Sequence, residues 1–334
     1  MKRTIHCLIA AWAVAAAASA AAEPVVLKFN SPAPPRSFLH DGAFTPWAKN
    51  VTEASGGTLK VEPYYGGTLG NFGVTYDRVV DGVADIGFIL TAMGAGKFRQ
   101  QDVAALPFES KSSIAAATAL WHLIEKGITA GEFDAVKPLA IWTFPNSAVN
   151  ARTPVKSLED LKGKKIAVSN AIAGKTVVAF SAAPVTMRPD EVYQAISRGL
   201  ADMTLMPFTG VATFKVDEVA RHHVDVAMGS DSAIVFMSRK RYDSLPPQAR
   251  AAIDKLSYLP FSQTVGRAAD AEWARARGSF KEVTTLSPEE EARWRKLAAP
   301  VAEQWAKETP NGAKVLAAFR AEIAAFEAAN KGSK

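Results

Sequence analysis

Eight residues of this chain recur in pattern. Val79-Val80-Asp81-Gly82-Val83-Ala84-Asp85-Ile86 is echoed by Ile196-Ser197-Arg198-Gly199-Leu200-Ala201-Asp202-Met203, over 100 residues further on. In each copy a helical run stops at a glycine, where a positive φ costs least. Three residues later an aspartate opens an apolar strand. Helix, glycine and short strand is the rhythm of an α/β domain, and its recurrence predicts two similar domains.

Length supports the same reading. The N-terminus has the parts of a secretory leader: Lys2 and Arg3, an apolar run from Cys7 to Ala18, and small residues in Ala18-Ser19-Ala20 and Ala20-Ala21-Ala22. Glu23 and Pro24 then break the run, which is shorter than the roughly 20 residues that span a bilayer. Cleavage between Ala20 and Ala22 is expected to release a soluble periplasmic protein. About 312 residues then remain, large for a single core. The expected division is 1–22 as leader, 23–143 plus 232–271 as the first domain, and 144–231 plus 272–334 as the second.

Composition excludes several classes. Without Lys2 and Arg3 the chain carries 37 basic against 33 acidic residues, too mild and dispersed a balance for a nucleic-acid binder. The densest basic run, Lys162-Gly163-Lys164-Lys165, reads as a solvated turn. The single cysteine, Cys7, lies in the leader, so no disulfide is expected. No His-Glu-x-x-His, glycine-rich nucleotide loop or Gly-x-Ser-x-Gly elbow occurs. His222-His223 would diverge on a strand. The chain is therefore expected to be no enzyme and to hold neither metal nor cofactor.

Local patterns place further elements. Val25–Phe29, Leu59–Pro63, Asp85–Ile89, Lys164–Val168, Pro184–Met187 and Ile234–Ser238 read as strands, the last crossing back to the first domain. Phe44–Ala54 has helical spacing and ends at Gly56-Gly57. Ser157 caps a short helix with an acid at its third position, and a helix is expected from Ile172 to Ala182. Pro189 opens another that runs to Arg198. The last third reads as helical: Ala268–Phe280, then a capping box at Ser287-Pro288-Glu289-Glu290, then Ala317–Ala329. Trp294, Leu297, Val301 and Trp305 are predicted to share a buried face, and Pro300 to kink or interrupt their helix.

In this order the motifs Gly56-Gly57-Thr58-Leu59-Lys60-Val61, Gly67-Thr68-Leu69-Gly70, Leu106-Pro107-Phe108, Leu158-Glu159-Asp160-Leu161-Lys162-Gly163-Lys164-Lys165-Ile166 and Glu191-Val192-Tyr193-Gln194-Ala195-Ile196 resemble the substrate-binding proteins of tripartite ATP-independent periplasmic (TRAP) transporters. The resemblance covers essentially all of the mature chain. It implies an α/β two-domain periplasmic binding protein fold with crossing strands and a long interdomain helix. It further implies a monomer that closes over a small organic solute, usually a carboxylate, and docks on membrane permease subunits. A binding protein that reports a solute to a membrane receptor is the alternative, and a periplasmic hydrolase a third.

The resemblance also exposes departures. The arginine that in such proteins pairs with the solute carboxylate falls at Ala167, and positions that are often polar fall at Leu205 and Met206. A bidentate guanidinium–carboxylate pair is strong and orienting. Its loss predicts a more apolar solute, aromatic or weakly polar, or another cation: Arg188, Lys175 or Arg152. Asn170, Asn146 and Asn71 are candidate polar contacts. Phe88, Phe144 and Phe208 are candidate stacking surfaces.

Overall fold

The computed structural model describes residues 23–331; the leader and its cleavage site lie outside them. Eleven strands form two sheets. They are β1 (Val25–Asn30), β2 (Leu59–Tyr64), β3 (Ile86–Leu90), β4 (Val136–Thr143), β5 (Ala148–Ala151), β6 (Lys165–Val168), β7 (Ala183–Thr186), β8 (Met203–Met206), β9 (His222–Asp225), β10 (Ser232–Ser238) and β11 (Val283–Thr285). The first sheet has the order β2-β1-β3-β10-β4 and the second β11-β9-β5-β8-β6-β7. The helices are α1 (Thr45–Ala54), α2 (Thr75–Val80), α3 (Ser113–Glu125), α4 (Ala171–Ala179), α5 (Val192–Ser197), α6 (Phe208–Thr213), α7 (Arg239–Asp243), α8 (Pro247–Leu256), α9 (Tyr258–Ser279), α10 (Pro288–Glu308) and α11 (Gly312–Ala329). The fold is bilobed α/β, as expected. Among the described residues no helix is long and apolar enough to cross a membrane.

The period of two along each strand sorts side chains onto opposite faces. Ile89, Ile141, Ile234 and Phe236 join one core with α3. Phe88, Trp142, Val235 and Met237 join another with α1. In the second lobe Val149, Ile166, Val168 and Leu205 pack under α4, while Ala167 and Met206 pack under α5 and α6. Both sheets are covered on both faces, as sheets with helical crossovers must be.

The predicted repeat is a structural one. Gly82 and Gly199 take φ of +78° and +73°. Asp85 then accepts the Lys28 N–H at 2.8 Å and donates its own N–H to the Lys28 carbonyl at 2.9 Å. Asp202 does the same to Lys165, at 2.8 and 2.7 Å. The aspartate thus ties the start of its own strand to the neighbouring parallel strand in each lobe.

The chain passes between lobes twice as strand. β10 runs antiparallel between β3 and β4, and β5 antiparallel to β8 and β9. The two crossing segments are bonded to each other: Phe144 N–H to Asp231 C=O at 3.0 Å, and Ser147 N–H to Gly229 C=O at 2.7 Å. Gly229, at φ +69°, lies so close to the first lobe that a Cβ there would stand 2.0 Å from the Ala105 carbonyl oxygen.

Several boundaries differ from expectation. The long helix α9 begins at Tyr258 rather than Ala268, and α11 begins at Gly312 rather than Ala317. α4 stops at Ala179, because Ser181 takes φ +58°. In α10, Trp294, Val301 and Trp305 are buried but Leu297 is 43% exposed; Ala298, one turn after Trp294, takes the inward place. Nor does Pro300 interrupt α10. Pro300 and Lys296, whose carbonyl it leaves without a helical partner, both lie on the exposed side, where water can satisfy that carbonyl.

The helical C-terminal third packs on both lobes, which is wider than the expected assignment of 272–334 to the second domain. Phe261 and Val265 of α9 belong to the first lobe's core, whereas Ala276 packs beside Phe208 of the second. Trp294 of α10 lies in the second lobe's core, but Trp305 and the α11 residues Val315 and Phe319 lie in the first.

Candidate functional site

A space of about 650 Å³, partly open to solvent, lies where the lobes face each other. It sits beyond the carboxyl ends of β3, β6 and β8, where open α/β sheets receive ligands. The first lobe supplies Ser37, Phe38 and Leu39 from the loop after β1, Phe72 before α2, Phe88 and Leu90 of β3, and Phe144 at the end of β4. The second supplies Val168 and Ser169, Met187, Thr204 to Pro207, and Thr209, Thr213 and Phe214 around α6. Asp231 reaches in from the second crossing.

The aromatic wall is held from behind. Phe88 meets Phe72 edge-on at 5.7 Å and stacks on Trp142 at 5.4 Å. Phe144 contacts Trp142 at 6.1 Å and Phe38 at 6.4 Å, both edge-to-face. Such ring pairs restrict one another's rotation, so the wall is pre-formed.

Polar groups on the cavity are few. The Asp231 carboxylate accepts from the Ser169 hydroxyl and, at 2.8 Å, from the Asn170 amide. Burial pushes its pKa up, against those two hydrogen bonds. Behind it, Asp102 accepts from Thr91 Oγ1 at 2.9 Å. Its carboxyl is pushed up to about 7, first by burial, with the nearby Asp231 charge adding to the rise. The Thr209 hydroxyl is buried with no hydrogen-bond partner in the protein.

The sequence candidates divide. Phe88, Phe144, Leu205 and Met206 line the cavity. Asn170 stands behind it: its oxygen caps α4 by accepting the Ala173 N–H, and its amide holds Asp231. The cations lie elsewhere. Arg188 turns back onto Asp190 at 3.1 Å and Glu191 at 3.0 Å, although its neighbours Met187 and Pro189 line the cavity. Lys175 is paired with Glu308 of α10. Arg152 is exposed. Ala167 is buried under α5, and Phe208 packs against Trp273 and Phe280. Asn146 donates to the Ser110 carbonyl, and Asn71 accepts the Gly73 N–H in a turn.

Sequence reasoning missed Phe38, Phe72, Phe214, Thr209, Ser169 and Asp231. Asp231 stands in Met228-Gly229-Ser230-Asp231-Ser232, which reads as a plain turn; only its position between the lobes distinguishes it. The two histidines diverge as expected: His222 pairs with Glu282 at 2.6 Å, while His223 stacks on Phe280 and bonds Asn150. Among the described residues no group of three metal-ligating side chains assembles.

Two lobes joined by paired crossing strands, with a cavity between them lined from both, define an extracytoplasmic solute-binding protein. The chain matches the model of bacterial extracellular solute-binding protein family 7, DctP, over residues 29–309, and it belongs to that family, which serves TRAP transporters. It is 26% identical to the C4-dicarboxylate-binding periplasmic protein DctP of Rhodobacter capsulatus, across 97% of this chain and 99% of the relative. A TRAP solute-binding protein from Rhodoferax ferrireducens, solved with copurified benzoate, superposes with a TM-score of 0.85 at 27% identity, covering 90% of this chain and 98% of that one. One from Bordetella bronchiseptica, with bound (R)- and (S)-mandelate, gives 0.83 at 27% identity, covering 91% and 100%.

Proposed function

We propose that this protein captures a small, largely apolar solute carrying an aromatic ring and delivers it to TRAP permease subunits. The observation that carries this reading is the lining: Phe38, Phe72, Phe88, Phe144 and Phe214 against no lysine, arginine or histidine. Apolar walls with a few placed polar groups are what a ring-bearing ligand needs. Two similar proteins hold ring compounds, benzoate and mandelate, which supports the reading. Binding proceeds without catalysis, in a monomer released to the periplasm by removal of residues 1–20 or 1–22. The first lobe comprises 23–143 and 232–271, the second 144–231 and 272 onward, with the end of α10 and α11 lying across the first.

A thermal-shift screen tests the proposal. A solute that binds only the folded form raises Tm by linkage. Ring compounds are expected to raise Tm saturably, while succinate and galactonate are not. A saturable shift with either of those two, and none with any ring compound, overturns the reading.

A further inference from the structure

Among the described residues Asp231 is the one titratable side chain lining the cavity, and its own hydrogen bonds fix what it can offer a solute. Asn170 uses its oxygen to accept the Ala173 N–H at 2.8 Å, so its amide nitrogen must be the group that meets Asp231 Oδ1, as a donor. The Ser169 hydroxyl meets Oδ2. A carboxyl group gripped by donors on both oxygens is held as an acceptor, and each oxygen keeps a free lone pair. Asp231 borders a space whose other walls are mostly carbon.

Among the described residues no cation pairs with that acceptor. Arg188 and Lys175 are engaged by Asp190, Glu191 and Glu308. The nearby acid Asp102 brings no positive charge, and when ionised it is of the same sign. A solute carboxylate placed at Asp231 would set acceptor against acceptor and like charge against like charge. A solute ammonium would complete the carboxylate's hydrogen bonding and cancel its charge. The faces of the surrounding rings also favour a cation over an anion.

We infer that the solute presents an amine, not a carboxylate, to Asp231, with its apolar ring against the phenylalanine wall. This inference rests on the ring-bearing solute proposed above and assigns its polar end.

Three probes of matched shape test it by calorimetry on the mature wild-type protein: 2-phenylethylammonium, 2-phenylethanol and phenylacetate. The expected order of affinity is amine, alcohol, acid. Asp231→Asn is expected to weaken the amine on the order of 30-fold or more, the loss typical of removing one partner of a buried charge pair, and so to remove the amine's advantage over the alcohol. The wild-type ranking needs no variant to fold. Phenylacetate or phenylethanol binding tightest overturns the amine assignment and leaves the ring-bearing solute standing. An amine affinity unchanged by Asp231→Asn in a variant of native circular dichroism also overturns the assignment. Saturable binding by none of the three overturns the ring-bearing solute and this inference together.

Discussion

The two lobes share a frame but not a lining. Each closes a helix at a left-handed glycine, Gly82 or Gly199, and each pins a strand start with a two-way aspartate clamp, Asp85 on Lys28 or Asp202 on Lys165. At the cavity they diverge: the first lobe brings most of the phenylalanines, and the second brings aliphatic, methionine and threonine side chains. Backbone hydrogen bonding tolerates little variation, because each buried donor and acceptor must be met. Side chains at strand ends are free of that demand, so specificity can change there without disturbing the frame. The crossing segments belong to neither copy; one carries Asp231, with Asp102 of the first lobe close behind it.

The largest effect should come at the crossing, where the lobes no longer mirror each other. Gly229→Ala adds a Cβ at a positive φ, facing the Ala105 carbonyl. It should cost about 3 kcal/mol or more in urea unfolding, combining backbone strain with steric overlap. A cost below about 1 kcal/mol, the range of an unobstructed left-handed site, would mean that the lobes do not meet tightly there.

The acids beside the crossing predict a pH dependence. With its pKa raised to about 7 in the folded protein, Asp102 favours the fold when protonated. That contribution is complete below the unfolded carboxylate's pKa of about 4 and is lost as pH rises toward 7. The charges nearest it are Asp231, Glu132 and Arg99; Glu132 is itself raised to about 7, mainly by burial. Wild-type Tm should therefore fall between about pH 4 and pH 7, the window set by those two shifts. Asp102→Asn keeps an oxygen for Thr91 and should recover part of the loss at pH 8 while changing little at pH 4. An equal effect at both pH values would show that Asp102 is ionised throughout.

The clamps allow a sharper comparison. Asp85 also pairs with Arg241 at 2.6 Å, an addition Asp202 lacks among the described residues. Asp85→Ala should cost about 2–3 kcal/mol and Asp202→Ala about 1–2, because each loses a hydrogen bond to a carboxylate but only Asp85 also loses an ion pair. The reverse order in denaturant titrations would deny the extra role of Arg241. The smallest effect belongs to the two glycines. A Cβ at Gly82 or Gly199 meets no atom within 4 Å. Replacing either by alanine should cost about 1 kcal/mol, the same in both lobes, because backbone conformation alone is at issue. Costs differing by more than a factor of two would break the symmetry.

Local chemistry was legible in the sequence. The repeat, the Ser157 and Ser287 caps, and the strands β1, β2, β3, β6 and β10 all carry their signals within a few residues. Elements buried on every side were not. α3 has buried residues all around its circumference, from Ala115 to Leu123, so no amphipathic period marks it. β4, buried along nearly all its length, reads as a featureless apolar run. The cations failed as cavity candidates for a reason already present in the chain: Asp190 and Glu191 follow Arg188 directly. Glu308, by contrast, meets Lys175 only through the packing of α10 on α4, and no local pattern reveals that.

α10 is fastened at both ends to different bodies, by Trp294 to the second lobe and by Trp305 to the first, with Pro300 between them. Any parting of the lobes must flex this rod or pull out a tryptophan. Flexing is the cheaper course, and the turn lacking a hydrogen bond at Pro300 is the natural place for it. The rod then behaves as a leaf spring between the two lobes. In a protein whose lobes close over solute, its stiffness would enter the balance between open and closed forms, and with it the apparent affinity, although no residue of α10 lines the cavity.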